Sequence, residues 1–361
     1  MTAVRAVSTA LALVWVTMWM ASPAISGPSS EYLALLDVAK AEGKVAIGGF
    51  GFDPEEVTTL EKGFQERVGF PVKITHDPTH IRDIPPKVIA GGFDVVEVNV
   101  AGGYQILESE RGMVMVDWSM FYPEFPKLEE VHHRRPAEDI PCLLYVNGIF
   151  GIVYNAKLVK EADLPETLED FAEPKWKGRF VLWDNGNPFD FIAVKYGKER
   201  AIELARMLKT NKPILSRSAA ILTLIAGGEA HLGATSISTA MSEINKGAPL
   251  GVKPYRDIIP ALNNQLCVVD KAPHPHMAKL FAAWHAAEGI HLIADVAGHY
   301  RALPDDENAL TRFLTKWGKT VDDLTIFSDR AAWKMREEVT KAVAAILTGA
   351  KYGKRSTRPL Y

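Results

Sequence analysis

The stretch from Tyr154 to Trp183 reads YNAKLVKEADLPETLEDFAEPKWKGRFVLW. A strand is expected to end at Tyr154-Asn155, followed by a short helix over Lys157 to Lys160. Leu164-Pro165-Glu166-Thr167 restarts the chain as a second helix, with Pro165 near its first turn, where a missing N–H costs little. Glu173-Pro174-Lys175-Trp176-Lys177-Gly178 then turns into an apolar strand, Arg179 to Trp183.

The same alternation extends to both sides. Upstream, a helix over Glu31 to Ala41 precedes a strand at Lys44 to Gly48. Asp53 is placed to cap the next helix, with Pro54 at its first position and Glu56 closing a capping box. Leu60, Phe64 and Val68 share one face of that helix. Strands follow at Val72 to Thr75 and Phe93 to Val98, separated by a helix over Ile81 to Ala90 that Pro85-Pro86 should break. Gly102-Gly103 opens another helix. Such a β-α-β-α-β series predicts a mostly parallel sheet with helices on both faces. Pro141 to Tyr154 reads as a long crossing into a second α/β region. That region has strands at Arg179 to Trp183 and His231 to Ala234. Its helices fall near Phe189, Glu199 to Leu208, Ala219 to Ala226 and Ile237 to Lys246. Val252 to Val269 reads as a second crossing.

Three further strings complete a pattern: G-E-A-x-L-G at Gly228 to Gly233, K-G-A-P at Lys246 to Pro249, and A-P-H-P-x-x-A-K-L-F at Ala272 to Phe281. Together with YN-x-K-L-V, LP-x-x-x-x-D and P-K-W-K-G in the first stretch, they resemble the periplasmic solute-binding proteins of ABC importers. The likeness is to the family-1 group that includes ferric-ion, polyamine and thiamine binders, and it covers roughly residues 40 to 300. It implies an α/β, two-lobe periplasmic-binding-protein fold of type II, with mostly parallel sheets and an interlobe hinge. Residues 27–145 and 265–361, including the C-terminal helices, are expected to form lobe 1, and residues 146–264 lobe 2. The implied function is capture of a small polar solute between the lobes and delivery to an inner-membrane permease, by a monomer without a cofactor. Alternatives are a signalling receptor of the same fold and a binder of ferric complexes.

Residues 1–26 read as an export signal. Arg5 is the only charge before Glu31, Leu11 to Met20 is apolar, and Ala24-Ile25-Ser26 offers a small-x-small cleavage site. A periplasmic location follows. In an oxidising compartment the two cysteines, Cys142 and Cys267, are a possible disulfide; two buried free thiols are the alternative. The formal net charge of −3 argues against a nucleic-acid partner.

In open α/β sheets a ligand sits beyond the carboxyl ends of the strands. That rule nominates Gly49, Phe50 and Gly51, with Phe52, after the first strand, and Asn99, with Ala101, Gly102 and Gly103, after the third. In the second region it nominates Trp183, Asp184, Asn185 and Asn187. There Asp184 could pair a cation and Trp183 stack on it. Ser216, Arg217 and Ser218 suit an anion, with Arg217 as a carboxylate or phosphate clamp. Ser236 and Ser238 open a helix, and Tyr255 lies near the second crossing. The ferric branch of the family carries two adjacent tyrosines after G-E-A-x-L-G. Here Thr235 to Met241 contains none, so direct tyrosinate iron binding is not expected.

No catalytic pattern is present. Pro54 stands where a dinucleotide fingerprint after Gly49 and Gly51 wants Gly or Ala, and Phe313 where a P-loop ending in Gly318-Lys319-Thr320 wants its first glycine. His274 and His276 flank Pro275 at a helix start without a matched acid or Cys set, and no metal is expected there.

Overall fold

The computed structural model describes residues 29–49, 51–79, 83–109, 112–134, 139–327 and 329–349. The expected export signal and Phe50 lie outside the described residues.

Helix α1 (Ser30–Glu42) leads into strand β1 (Lys44–Gly48). There follow α2 (Pro54–Val68), β2 (Lys73–Asp77), α3 (Ile84–Ala90), β3 (Val95–Asn99), α4 (Val100–Leu107) and α5 (Lys127–His133). Strand β4 (Leu143–Asn155) is the longest, at 13 residues. Next come β5 (Phe180–Trp183), α6 (Phe189–Tyr196), α7 (Lys198–Thr210), β6 (Ile214–Ser216) and α8 (Ser218–Ala226). Then follow β7 (Leu232–Ser236), α9 (Ile237–Asn245), β8 (Leu250–Lys253) and β9 (Ile259–Val268). The chain closes with α10 (Pro275–Ala287), α11 (Ala294–Ala297), α12 (Ala309–Lys316), β10 (Leu324–Thr325) and α13 (Arg330–Thr348).

The strands order as β2-β1-β3-β9-β4-β7-β5-β6, with β8 added on β4 and β10 on β9. Within each wound group the pairing is parallel: β2-β1-β3 in one lobe, β7-β5-β6 in the other. Strands β4 and β9 run antiparallel to each other and to the wound strands beside them. The first half of β4 pairs with β9 from Leu143↔Leu266 to Ile149↔Ala261. Its second half pairs with β7 from Phe150↔Ser236 to Tyr154↔Leu232. One strand thus passes from the first lobe's sheet to the second's, and β9 returns. Two continuous β connections between lobes are the structural basis of a hinge.

Each lobe has its own apolar core. The first packs α1, α2 and α10 on the sheet through Leu60, Phe64, Phe281 and Trp284. The second packs α6 and α7 through Phe189, Phe191, Leu204 and Leu208. The cap of α2 is as the sequence predicts: Asp53 Oδ1 accepts from the Glu56 N–H, and Glu56 Oε2 accepts from the Asp53 N–H, both at 2.9 Å.

Several local expectations need correction. Pro85 and Pro86 do not break α3; they sit in its first turn, where no intrahelical N–H is lost. No helix forms over Lys157 to Lys160. Instead the Asn155 side chain ends β4 by accepting from the Lys157 N–H at 3.0 Å and donating to the Ile225 carbonyl at 2.8 Å. The helix expected from Leu164 shrinks to a 3-10 turn at Glu169–Ala172. Strand β6, three residues long, was not expected at all. Of the C-terminal helices expected in lobe 1, α10 packs there, but the last, α13, does not. Val339, Val343 and Leu347 of α13 are buried in the second lobe's core. Their helical spacing marks an apolar face but carries no information about which surface it covers.

Cys142 and Cys267 are joined, with an S–S distance of 2.05 Å and 4.6 Å between their Cα atoms. The register explains it: Leu143 pairs with Leu266, so the residues one step outward face each other across β4 and β9.

Candidate functional site

In lobe 1 the loop after β1 turns sharply at Gly49, whose φ of 98° disfavours any side chain. A Cβ there would lie 2.6 Å from the Glu97 carbonyl oxygen. Gly51 is exposed. Phe52 is buried, its ring 5.7 Å from that of His76 and 5.6 Å from that of His299. Asn99 caps α4 by accepting from the Gly102 N–H at 2.9 Å.

Behind these loops lies a buried polar group that the sequence reading missed. Glu97, on β3, is fully buried and accepts from Asn264 Nδ2 at 2.6 Å. Burial pushes its carboxyl up to about 8, so it holds its proton at neutral pH. His285 Nε2 and the Tyr145 hydroxyl are hydrogen-bonded at 3.1 Å. Burial pushes His285 down to about 3 and His299 down to about 4. This layer is therefore uncharged at neutral pH. The one sequence signal was an acid inside the apolar run Val95-Val96-Glu97-Val98.

In lobe 2, Trp183 is half-buried; its indole N–H donates to the Thr235 hydroxyl at 2.9 Å and its ring meets Phe150 edge-on. Asp184 Oδ2 and Arg217 Nε approach to 3.7 Å, and 73% of the Arg217 side chain is exposed. Parallel pairing of β5 with β6 brings them together: Trp183 is in register with Ser216, and the Asp184 N–H donates to the Ser216 carbonyl. Ser218 opens α8, and its side chain lies outside the described residues. Ser236 caps α9, accepting from the Thr239 N–H at 3.2 Å.

Four nominated residues are occupied by structure. Asn185 is buried and accepts from the Asn187 N–H at 3.1 Å, and Asn187 accepts from Arg336 at 3.5 Å. Ser238 is buried at the hinge, donating to the Asn147 carbonyl at 3.3 Å. Tyr255 does not line a cleft: it is fully buried in the second core and donates to the Gly151 carbonyl at 3.5 Å. Its position near the crossing was legible; the inward turn of its ring was not. A depression of about 300 Å³ beside Thr75, Asp77 and Lys87 involves none of the nominated residues.

Among the described residues, no group of three or more His, Cys, Asp or Glu side chains is placed to hold a metal ion. Nor is any described helix long and apolar enough to cross a membrane.

Residues 115–245 match the family model of bacterial extracellular solute-binding proteins. The Fe(3+)-binding periplasmic protein of Serratia marcescens is 27% identical over 85 residues. That match takes in 22% of this chain and about a quarter, 25%, of the relative's length. Among solved structures, iron-bound HitA from Pseudomonas aeruginosa is 15% identical with a TM-score of 0.61, over 82% of this chain and 99% of its own. The spermidine/putrescine ABC-transporter substrate-binding protein PotD from Streptococcus pneumoniae is 17% identical with a TM-score of 0.65, over 84% and 99%. AfuA from Actinobacillus pleuropneumoniae, with fructose-6-phosphate bound, is 18% identical with a TM-score of 0.63, over 82% and 97%. The fold of these solute-binding proteins, two α/β lobes on a shared hinge, is the fold of this chain.

Proposed function

We propose that this protein is the periplasmic substrate-binding component of an ABC importer. It captures a small polar solute between its lobes as a monomer and delivers it to an inner-membrane permease. The observation that carries the reading is the pair of crossing strands, β4 and β9, which join two wound half-sheets whose carboxyl-end loops hold the exposed polar groups. Clefts between lobes are favoured small-ligand sites, and hinge closure is how such folds retain a ligand.

The solute meets Gly51 and the Asn99 cap from lobe 1, and Trp183, Asp184, Ser216 and Arg217 from lobe 2. Asp184 and Arg217 present both signs of charge, which suits a solute carrying a cationic and an anionic group. Bare ferric ion suits the site poorly. Thr235 to Met241 lacks tyrosine, and the described residues offer no ready metal cluster. A ferric complex with its own organic ligands stays within the reading.

The test is a thermal-shift screen of the exported protein against polyamines, thiamine, sugar phosphates, carboxylates, amino acids and ferric citrate. A ligand selective for the folded state stabilises it by about 2.7 kcal/mol at a hundredfold excess over Kd. No shift with any class, and no small molecule released from the denatured protein, sinks the proposal. Loss of uptake in a deletion strain supports the importer. Intact uptake with a lost transcriptional response points to a receptor of the same fold.

A further inference from the structure

Helix α13 touches both lobes. Its body lies in the second core, as described. Its first two turns do something else. Trp333 packs against the second core and also against the cluster of α3, α4 and β3 in the first lobe. One turn earlier, Arg330 pairs with Glu108, just past the end of α4, at 2.8 Å. The Arg330 guanidinium also lies 4.7 Å from the Tyr104 ring centroid, on α4 itself. Helix α4 is the one capped by Asn99, so its far end is tied to α13 while its near end faces the candidate site.

One turn further on, Arg336 reaches the candidate site of the other lobe from behind. It is buried, and its Nε donates to Asp190 Oδ2 at 2.7 Å, with Asp190 fully buried. Its Nη2 donates to Asn187 Oδ1 at 3.5 Å. The Trp333 ring stacks on its guanidinium at 4.3 Å, which fixes the fork's plane. Gly186 backs onto the same helix so closely that a Cβ would lie 2.7 Å from the Thr340 carbonyl oxygen. Residues 186–190 are therefore clamped by α13, and Trp333 is the side chain shared between that clamp and the first lobe.

We propose that α13 is an interlobe strap: Arg330 and Trp333 hold the first lobe, Arg336 positions the loop Asn185–Pro188 of the second, and the helix between them couples lobe arrangement to loop geometry. Arg336 is a positioning residue and does not itself touch solute. Any hinge motion must slide Trp333 over one of its two partners or break the Arg330 contacts with α4. Because those contacts are exposed, they are individually weak, and their loss shifts the balance of lobe arrangements without unfolding either lobe. The consequence for solute affinity rests on the proposed function; the strap itself rests only on the two-lobe fold.

The test needs no solute. Labels attached through non-canonical residues at Glu66 and Lys175 report the interlobe distance distribution. Hydrogen exchange reports the loop. Arg330→Ala and Glu108→Ala each shift the population ratio by roughly threefold, and the double variant shifts it no further than Arg330→Ala alone, since the two partners share one contact. Both keep the wild-type melting temperature within a degree or two, as exposed pairs should. Arg336→Lys keeps the charge but loses the fork, and amides 185–191 exchange about tenfold faster while the distant α1 amides do not change. A wild-type distance distribution in the Arg330→Ala/Glu108→Ala double variant overturns the strap. Unchanged loop exchange in a folded Arg336→Lys protein overturns the positioning role. A failed solute screen with these shifts present would leave the strap standing and remove only the proposed function.

Discussion

Asp184 and Arg217 face each other at 3.7 Å across the ends of β5 and β6, and most of the Arg217 side chain is open to water. The geometry is too long and too exposed for the pair to be a major stabiliser; such pairs contribute about 0–1 kcal/mol. Two charges held near each other at the carboxyl ends of parallel strands are instead available to a third party.

The first prediction separates stability from binding at this pair. Asp184→Asn and Arg217→Ala should each leave the melting temperature nearly unchanged. Against the solute identified by the screen, at least one should lower affinity by about tenfold or more, the worth of a charge-assisted hydrogen bond of about 1.5–3 kcal/mol. A solute cation loses more with Asp184→Asn, a solute anion more with Arg217→Ala. Calorimetric affinities equal to wild type for both variants would remove these residues from the site.

The second concerns Cys142 and Cys267. Their bridge closes a loop with a sequence separation of 125 residues and ties the start of β4 to β9 in the first lobe. Replacing both with alanine should cost about 2–5 kcal/mol, chiefly by releasing the unfolded chain. Denaturant titration of the double variant measures the loss, and a thiol assay on the unfolded, unreduced wild type should find no free thiol. A free-thiol count of two would show that the bridge does not form.

A third prediction follows from Gly49. Its φ of 98° is strained for any side chain, and a Cβ there would lie 2.6 Å from the Glu97 carbonyl oxygen, which leaves no place for a methyl group. Gly49→Ala should cost about 1–3 kcal/mol through backbone strain. It should also displace the loop carrying Gly51, weakening solute binding beyond what the stability loss explains. Gly51→Ala, at an exposed position with open space around it, serves as the control and should be nearly neutral in stability.

The parts of this fold that rest on local chemistry could be read from the sequence. Asp53, Pro54 and Glu56 announce the start of α2 through cap and capping box, and the long apolar run before Asn155 announces the crossing strand. The failures share a physical cause. Pro85-Pro86 is compatible with either a break or a first turn, and only the position of the preceding cap decides. Asn155 and Lys157 form a turn because Asn155 also finds the Ile225 carbonyl, some 70 residues away. Tyr255 carries the same polar handle whether it faces a cleft or a core. Glu97, Asn264, Tyr145 and His285 form their buried layer from β3, β9, β4 and α10, and no spacing rule connects such distant positions. The apolar face of α13 is plain in the sequence, yet the surface it covers belongs to tertiary structure alone.

The buried layer should govern how stability depends on pH. The folded-state value for Glu97 is about 8, raised from 4.5 by burial. Below 4.5 the group is protonated in both states; between 4.5 and about 8 the unfolded chain ionises while the folded one keeps its proton. Stability therefore falls as pH rises through that window. His285 and His299 act in the opposite sense. Their folded values of about 3 and about 4 lie below the unfolded 6.5, so stability falls as pH drops from 6.5 towards those values. With two histidines against one carboxyl, these groups together place maximum stability near about pH 6–7. Glu97→Gln keeps an acceptor for Asn264 and removes the titration. Its urea midpoint should match wild type near about pH 4, rise more steeply than wild type between 4.5 and 6.5, where the histidines then act unopposed, and exceed it near about pH 8.5. If the two profiles run parallel across the range, Glu97 is ionised in the folded protein and the layer behind the candidate site is charged.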